Sequence, residues 1–331
     1  MDIDFVVTWV DMNDPKWKKE FAAAKGTIDN SRNQYSEARF RDYGFLKYWF
    51  RGVEKFAPWV RKIHFVTCGQ RPEWLNVSNP KLHLVDHKDY IPECYLPTFN
   101  STVLEFYLDR IPDLSEHFVY FNDDFYLIRP TGRERFFSES GLPCDIAAFR
   151  FNTGLSLWSK TLKNNVRLIN SHFDKKTVLE RDHDKWFCKE YGDKANLTRW
   201  MQWYGKFMTL RIPHNAQPYL KSTFGHVWEK CGEELRESST HTFRSGNDLT
   251  PELFRTWQIC ESNFQPYNTY KDTKMFPLMV KAGKAVEAIR NQSYNLVCIN
   301  DSVHIRNYDE VMKSLDQAFA SILPEKSSFE K

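Results

Sequence analysis

Short runs of β-branched and aromatic residues, several of which stop at an acidic residue, constrain the fold of this chain most. Runs of this kind are typical of strands buried inside a sheet. They occur at 3–9 (IDFVVTW), 62–67 (KIHFVT), 81–85 (KLHLV), 118–121 (FVYF), 125–128 (FYLI) and 294–299 (YNLVCI). Helical patterns separate many of the runs, and strands that alternate with helices build a largely parallel sheet. We therefore predict an α/β fold with a mostly parallel sheet, a hairpin-like unit at 118–128 and a helical, aromatic-rich insertion after residue 150.

Apolar periodicity and helix-end signals predict the helices and three regions of the chain. The predicted helices are 34–56, 101–110 with Ser101 as its N-cap, 251–259, 274–290 and 308–323. The predicted regions are an α/β core at 1–150, a helical and irregular region at 151–250, and helices with a late strand that complete the core at 251–331. The final eight residues, PEKSSFEK, are expected to form a frayed tail.

Charge excludes one class of partner and points to another. The 331 residues include 46 basic and 43 acidic side chains, a net charge of +3, so no global charge demands a nucleic-acid partner. Between Arg150 and Arg211, however, 13 Lys or Arg accompany only 6 Asp or Glu. This local surplus predicts either a solvated surface or a patch that meets anionic lipid or a phosphorylated substrate.

The cysteines and the apolar content indicate the compartment. The seven cysteines are widely spaced and form no C-x-x-C pair, which favours reduced thiols over a disulfide framework or a zinc ribbon. The chain opens Met-Asp-Ile-Asp, without the features of a secretion signal, and no apolar run reaches the length of about 18 residues that a membrane span needs. We therefore expect a cytoplasmic protein, with peripheral contact at the inner face of the plasma membrane as a further expectation.

The N-D-D stretch at 122–124 places the adjacent carboxylates of Asp123 and Asp124 between two apolar runs. Desolvating two neighbouring carboxylates costs several kcal/mol unless a partner compensates. Since ligands bind beyond the carboxyl ends of parallel strands, Asp301 or Asp11 from neighbouring strands can join these acids at one edge of the sheet. One interpretation is a site for Mg²⁺, which prefers carboxylate oxygens. The other is a tight turn, in which Asn and Asp are favoured.

Two further side chains suit phosphoryl chemistry. His214 lies in a loop between Pro213 and Pro218, where it can take a proton from a hydroxyl or simply form a hydrogen bond. Arg244 offers the two parallel donors that fit phosphate oxygens, although a surface salt bridge with Asp248 is the alternative. The sequence contains no G-x-x-x-x-G-K and no G-x-G-x-x-G motif, so it predicts no ATP or NAD site of the usual kind.

Four segments carry a resemblance to a known family. They are IDFVVTWVDMNDP (3–15), the long block at 38–130, RIPHNAQPYLKS (211–222) and VCINDS (297–302). In residues and in order they resemble the Stealth family of hexose-1-phosphate transferases. That family includes bacterial capsule and cell-wall polysaccharide phosphotransferases and the GlcNAc-1-phosphotransferase of lysosomal enzyme targeting.

The resemblance implies a reaction and a set of site residues. The reaction is transfer of sugar-1-phosphate from a UDP-sugar to a hydroxyl of an acceptor glycan, with UMP leaving and Mg²⁺ or Mn²⁺ assisting. The implied core is a Rossmann-like or GT-A-like nucleotide-sugar domain, with residues 151–250 on the acceptor side. The implied catalytic residues are His214, Asp124 and Arg244. The implied donor-binding residues are Thr8, Trp9, Asp11, Asp14, Arg41, Asn100, Asn122 and Asp248, and the implied metal ligands are Asp123, Asp124, Asn300 and Asp301.

From this resemblance we expect a bacterial enzyme of surface polysaccharide synthesis that acts on a lipid-linked or polymeric glycan and binds no nucleic acid. The first alternative is a metal-dependent GT-A-type glycosyltransferase, which would attack the sugar carbon and release UDP. The second is a non-catalytic glycan-binding protein, which would stack sugars on aromatic rings, hold Ca²⁺ with its acids and consume no UDP-sugar.

Overall fold

The computed structural model describes residues 1–26, 40–302 and 304–331. Its strands are β1 (Ile3–Thr8), β2 (Ile63–Thr67), β3 (Leu82–Asp86), β4 (His117–Phe121), β5 (Phe125–Leu127), β6 (Cys144–Asp145), β7 (Gln217–Leu220), β8 (Gln265–Pro266), β9 (Thr273–Pro277) and β10 (Leu296–Asn300). Its α-helices are α1 (Pro15–Lys25), α2 (Leu46–Phe56), α3 (Ser101–Phe106), α4 (Leu157–His172), α5 (Lys175–Arg181), α6 (His183–Trp186), α7 (Asn196–Trp200), α8 (Lys221–Ser239), α9 (Glu252–Cys260), α10 (Leu278–Arg290) and α11 (Tyr308–Ile322). None of the helices in these ranges has the length and apolar character that crossing a bilayer requires.

A five-stranded sheet in the order β3-β2-β1-β4-β7 forms the centre of the fold. Strands β1 to β4 run parallel to one another, and only β7 is antiparallel to its neighbour. The predicted α/β class with a mostly parallel sheet is therefore confirmed. Because the four parallel strands point the same way, their last residues line one edge, which we call the carboxyl rim: Thr8, Thr67, Asp86 and Phe121.

A second sheet, in the order β5-β10-β9, joins the first at this rim. Strand β5 begins after the short 122–124 turn that follows β4, and β10 runs antiparallel to β5. The Ile299 amide donates to the Asp124 carbonyl over 2.9 Å, so the end of β10 reaches the same edge as the end of β4. The predicted hairpin at 118–128 is wrong, because β4 and β5 enter different sheets instead of pairing.

Apolar side chains cover both faces of the central sheet. In β1, Phe5 and Val7 belong to one buried cluster and Val6 to the other, because successive side chains of a strand point to opposite faces. Helices α2, α10 and α11 contribute to the first cluster, and α3, α8 and α9 contribute to the second. A parallel sheet covered on both faces requires the almost continuous apolar runs seen in the sequence.

Two predicted helices begin later than expected. Residues 40–45 are not helical and α2 begins at Leu46, whereas 34–39 of the predicted helix lie outside the described residues. Residues 274–277 belong to β9, which pairs with β10, and α10 begins only at Leu278. Pairing with a neighbouring strand decides the conformation of such a segment, because strand formation depends on packing partners more than on local preference.

The start of α3 also differs from the prediction. Its N-cap is Asn100, whose Oδ1 accepts a hydrogen bond from the Thr102 amide at 3.2 Å, and Ser101 is the first helical residue. The α-helix ends at Phe106, and a separate 3₁₀ turn forms at Leu108–Arg110. Asn is among the preferred N-cap residues, so both positions of the Asn-Ser pair offered a cap.

The last residues of the chain are docked and not frayed. Phe329 is 3% exposed, and its carbonyl accepts a hydrogen bond from the Asn76 amide at 2.8 Å. Glu330 and Arg51 of α2 form an ion pair at 2.7 Å. The predicted tail is therefore wrong, because the buried Phe329 ring and the ion pair of Glu330 both attach these residues to the core.

Candidate active site

The turn between β4 and β5 carries two partly buried acids, Asp123 and Asp124. Burial and the nearby charges of Asp124 and Asp42 raise the pKa of Asp123 to about 8. Burial also raises the pKa of Asp124, and its Oδ1 is buried without a hydrogen-bond partner among the described residues. Two carboxyl groups in these surroundings favour either a retained proton or a bound cation.

His214 and Cys298 complete a group of three around Asp124. One ligand atom from each of the three lies within 4.8 Å of the others. The Cys298 thiol donates to Asp124 Oδ2 at 3.2 Å, and the charge of His214 opposes the rise that burial causes in the pKa of Asp124. The fold therefore brings together His214 and Asp124, which sequence analysis had predicted as a base and an acid.

The backbone of His214 is strained. Its φ is 50°, in the left-handed region that side chains other than glycine rarely adopt, and its ring meets Phe125 edge-on with 5.2 Å between the ring centroids. Such strain costs of order 1–3 kcal/mol and persists only where the surrounding structure imposes it, which is most often at functional sites.

Asp301 follows β10 directly and meets a predicted partner, Arg41. The Arg41 Nη1 lies 3.5 Å from Asp301 Oδ2, and the Arg41 guanidinium stacks over the Tyr308 ring at 4.6 Å. The Asp301 side chain is 3% exposed, burial raises its pKa, and its Oδ2 has no hydrogen-bond partner among the described residues. Asn300, the last residue of β10, is partly buried beside it.

Sequence reasoning missed Asp42 and Tyr43, which lie at the same edge. Burial, together with the charge of Asp11, raises the pKa of Asp42. Burial and the charges of Asp301, Asp123 and Asp124 raise the pKa of Tyr43. The available signal was the acid and the phenol in the R-D-Y stretch, which the predicted helix at 34–56 assigned to an ordinary helix face.

Thr8 and Asn122 lie on the carboxyl rim and are joined through Tyr120. The Tyr120 hydroxyl is 3.0 Å from Thr8 Oγ1 and donates to Asn122 Oδ1 at 3.0 Å. Trp9 is 7% exposed, and its ring packs against Phe65 with 5.7 Å between the centroids. Thr8 and Asn122 are therefore available at the rim, while the Trp9 ring belongs mainly to the core.

The two acids that follow β1 have local partners. Asp11 Oδ1 accepts from the Asn13 amide at 2.8 Å, and the Asp11 backbone pairs with the Gln70 side chain. Asp14 caps α1 by accepting from the Trp17 amide at 2.7 Å. Asp14 thus has a structural role as the cap of α1. Asp11 also interacts with Asp42, one of the acids of the acidic cluster, which comprises Asp42, Asp123, Asp124 and Asp301.

Arg244 approaches the rim from the loop at 241–248. Its Nη2 donates to the Ser101 hydroxyl, and its charge interacts with Glu105 and Tyr120. Burial lowers the pKa of Arg244, but a guanidinium stays charged at neutral pH. Burial raises the pKa of Glu105, a residue that sequence reasoning missed, to about 8.

Asn100 and Asp248 hold the Arg244 loop in place. The Asp248 carboxylate binds the ring of His241 at 2.6 Å, the Asn100 side-chain amide at 3.1 Å and the Ser245 backbone amide at 2.7 Å. Asn100 is 0% exposed and Asp248 is 2% exposed. The structure therefore brings these two predicted residues together, and both are buried where they support the loop that carries Arg244.

The donors at the rim fit a hard divalent cation. Asp123, Asp124 and Asp301 supply carboxylate oxygens, the ligands that Mg²⁺ and Mn²⁺ prefer. Two of these oxygens, Asp124 Oδ1 and Asp301 Oδ2, are buried without hydrogen bonds from the described residues. The nitrogen of His214 and the sulfur of Cys298 lie close enough to suit a softer metal as well.

Comparisons with known proteins identify the family of the chain. The profile of Stealth protein CR2, conserved region 2, matches residues 39–145. Exopolysaccharide phosphotransferase cps2G of Lactiplantibacillus plantarum is 40% identical over 100% of this chain and 96% of its own length. Receptor polysaccharide phosphotransferase WefC of Streptococcus gordonii is 40% identical over 99% and 98%. Capsular polysaccharide phosphotransferase WcwK of Streptococcus pneumoniae is 39% identical over 99% and 98%.

A solved structure was also matched. Mouse xyloside xylosyltransferase 1, in its apo form, covers 91% of this chain and 98% of its own at a TM-score of 0.36 and 11% identity.

These full-length similarities define an enzyme class, a transferase of phosphorus-containing groups. The chain belongs to the Stealth family. The prediction of family membership is confirmed, and the alternative of a non-catalytic glycan-binding protein is set aside.

Proposed function

We propose that the protein transfers sugar-1-phosphate from a UDP-sugar to a hydroxyl of a glycan acceptor and releases UMP, in the synthesis of a surface polysaccharide. The observation that carries the proposal is the junction of β4, β5 and β10, which gathers Asp124, His214 and Cys298 within 4.8 Å. The names of the relatives, which are exopolysaccharide, receptor polysaccharide and capsular polysaccharide phosphotransferases, support the same reaction class.

The acidic side of the site suits the donor diphosphate with Mg²⁺ or Mn²⁺. Asp123, Asp124, Asn300 and Asp301 would hold the cation, which would neutralise charge on the two phosphates. Thr8 and Asn122, fixed through Tyr120, lie at the end of β1 and β4, where nucleotides bind in parallel sheets.

His214 is the proposed general base. An imidazole nitrogen takes the proton of the acceptor hydroxyl while that oxygen forms its bond to the sugar-bearing phosphorus, and the bond from this phosphorus to the UMP oxygen breaks. Asp124 stabilises the imidazolium that results, because the charges of the two side chains interact. The strained loop holds the ring at the acid without further movement.

Arg244 is the proposed clamp on the phosphate oxygens. Its guanidinium is already oriented by the Ser101 hydroxyl and lies beside Glu105 and Tyr120, so it needs little reorganisation when charge develops on the phosphoryl group. Asn100 and Asp248 position the loop that carries it and are expected to act through Arg244.

The test is to identify the nucleotide product. The purified protein is incubated with a panel of UDP-sugars, Mg²⁺ or Mn²⁺ and a lipid-linked or synthetic glycan acceptor, and UMP is then separated from UDP. We expect acceptor-dependent UMP and a phosphodiester in the product. Acceptor-dependent UDP would move the attack to the anomeric carbon and would overturn the proposal in favour of a glycosyltransferase.

A matched pair of variants tests the clamp within the same assay. Arg244→Lys keeps a positive charge but loses the two parallel donors, and we expect turnover to fall by roughly 10²-fold. Arg290→Lys changes an exposed arginine at the end of α10 and serves as the control, with turnover expected to stay near the wild-type value.

A further inference from the structure

Large apolar side chains are exposed in two segments of the helical region that follows residue 150. The exposed fractions are 63% for Trp200, 73% for Trp203, 55% for Phe151 and 83% for Leu155. We call this the aromatic surface and define it as the segments 150–163 and 194–211. Trp158 and Tyr204 in the same segments are also exposed, at 42% and 40%. Aromatic residues are costly to leave in water, so a concentration of them marks an interaction surface.

The two segments of the aromatic surface lie side by side. Arg150 donates its amide to the Thr209 carbonyl at 2.8 Å, and Arg211 donates its amide to the Ala148 carbonyl at 2.7 Å. The rings of Phe151 and Trp200 lie 6.4 Å apart. An open groove of about 430 Å³ lies between the segments, and its lining includes Arg150, Phe151, Asp193, Leu197, Trp200 and Arg211.

The exposed tryptophans are presented by a firmly held backbone. The buried ammonium of Lys175 donates to the Met201 carbonyl at 2.7 Å and also to the Tyr204 carbonyl. The Asn170 side chain accepts a hydrogen bond from the Phe207 backbone amide at 2.7 Å and donates one to the Phe207 carbonyl at 3.1 Å. The exposure of Trp200 and Trp203 is therefore built into the fold.

The charge of the aromatic surface is one-sided. The segments 150–163 and 194–211 contain seven Lys or Arg and no Asp or Glu. Each Lys or Arg close to an anionic lipid surface raises affinity roughly fivefold. Tryptophan and tyrosine are the residues that favour the interfacial layer of a bilayer, where the ring is apolar and its polar edge stays wet.

We propose that the aromatic surface docks the protein on a bilayer that contains anionic phospholipid. A glycan could also stack on exposed rings, but glycan stacking does not call for seven positive charges against the single acid of the groove, Asp193, whereas a negatively charged membrane favours such an excess.

The aromatic surface is connected to both loops that carry proposed catalytic residues. Arg211 lines the groove and leads directly into the loop that carries His214. Asn164 of α4 directly follows the segment 150–163 of the aromatic surface. Its side chain donates to the carbonyls of Gly246 and Asp248, at 3.0 Å each, in the loop that carries Arg244. If the acceptor is lipid-linked, as the proposed function has it, docking would bring its headgroup toward these two loops. The docking itself does not depend on the reaction.

The test uses the full chain and vesicles of defined composition. Sedimentation is measured with vesicles of phosphatidylcholine alone and of phosphatidylcholine mixed with phosphatidylglycerol. We expect binding to the mixed vesicles only, weakened by salt, and lowered by about tenfold or more in Trp200→Ser/Trp203→Ser. The matched control is Met279→Ser/Val280→Ser, which removes apolar residues exposed at 52% and 67% on α10, and it should bind as the wild type does.

Three outcomes would overturn the proposal. The first is no binding to anionic vesicles, and the second is an equal loss in the control. The third is a tryptophan variant that keeps vesicle binding but loses affinity for a soluble glycan, which would assign the surface to glycan stacking. UMP release with a soluble acceptor is measured in parallel and should be unchanged in the tryptophan variant, so failure of docking and failure of the proposed reaction are distinguishable.

Discussion

Asp4 and Asp123 lie near opposite ends of strand β4 and have opposite electrostatic surroundings. Asp4 of β1 pairs in register with Phe118, near the start of β4, and Asp123 lies just past its end. Burial alone would raise the pKa of Asp4, but hydrogen bonds from His64, Arg61 and the Ser115 amide outweigh it and lower the pKa to about 2. Asp123 instead faces other acids, and its pKa rises to about 8.

The contrast separates an acid whose charge is compensated within the fold from an acid whose surroundings suit a bound cation. At the amino end of the strands, each carboxylate oxygen of Asp4 has a donor, so the charge is compensated within the chain. At the carboxyl rim, several acids lie close together. Two of their oxygens, Asp124 Oδ1 and Asp301 Oδ2, are buried without hydrogen bonds from the described residues. A protein tolerates such a cluster when binding depends on it.

The largest effect is expected at the rim and in turnover. Asp124→Asn removes a charge that the reaction needs, and His214→Ala removes the proposed base, so each should lower the rate of UMP release by about 10³-fold. Circular dichroism and thermal melting should show that both variants remain folded. The matched controls are Asp184→Asn and His183→Ala, whose side chains are 106% and 66% exposed. Near-normal turnover in either folded site variant would show that the assignment is wrong.

The next effect is expected at the other end of the strand and in stability. Asp4→Asn removes the buried carboxylate that binds Arg61 and the fully buried His64 and leaves Arg61 with its longer ion pair to the exposed Asp113, so the free energy of unfolding should fall by about 3 kcal/mol at pH 7. Urea denaturation measures this loss. The folded-state pKa of Asp4 is lower than its unfolded value, so its contribution is present at neutral pH and is lost as pH falls from about 4 toward 2. In that pH range the difference in the free energy of unfolding between the wild type and Asp4→Asn should shrink. A difference that does not change with pH would contradict the ion pairing of Asp4.

An effect of opposite sign is expected for Asp123→Asn. The folded-state pKa of Asp123 is raised to about 8, so ionising it costs stability as pH rises from about 4 to 8. Without divalent metal, the variant should therefore be more stable than the wild type by at least about 2 kcal/mol at pH 8.5 and equal to it near pH 4. Added Mg²⁺ should stabilise the wild type more than the variant. A difference that does not change with pH would mean that Asp123 is ionised throughout.

The smallest effect is expected at Cys298. Its thiol donates to Asp124, and a thiol is a weak donor, so Cys298→Ala should lower turnover only severalfold. Cys298→Ser restores a donor and should recover most of the rate, which separates positioning of Asp124 from loss of packing. Equal rates in both variants would show that the thiol contributes only volume.

The sequence was informative where a pattern is set by burial. The apolar runs of β1, β2 and β10 located those strands to within two residues, because a strand covered on both faces must be apolar throughout. The acids at 123–124 and 301 were found for the same reason, since a carboxylate directly after such a run is conspicuous.

The rest depended on contacts that local patterns do not encode. Asp42 was overlooked because the predicted helix at 34–56 covered its segment, and the contact between Asn100 and Asp248 was not foreseen because the two residues are distant in sequence. The separation of β4 and β5 into two sheets was equally hidden, since the three residues between them fit a hairpin turn as well as a crossing between sheets.

The junction of the two sheets also has a consequence for the order of folding. The contact between Cys298 and Asp124 joins residues 174 positions apart, whereas β1, β2 and β3 pair over much shorter separations. Contacts that close long loops form slowly, because the loss of chain entropy precedes the gain from the contact. The acidic site is therefore expected to form late, after the central sheet, and a partly folded chain with an intact central sheet would still lack the proposed catalytic centre.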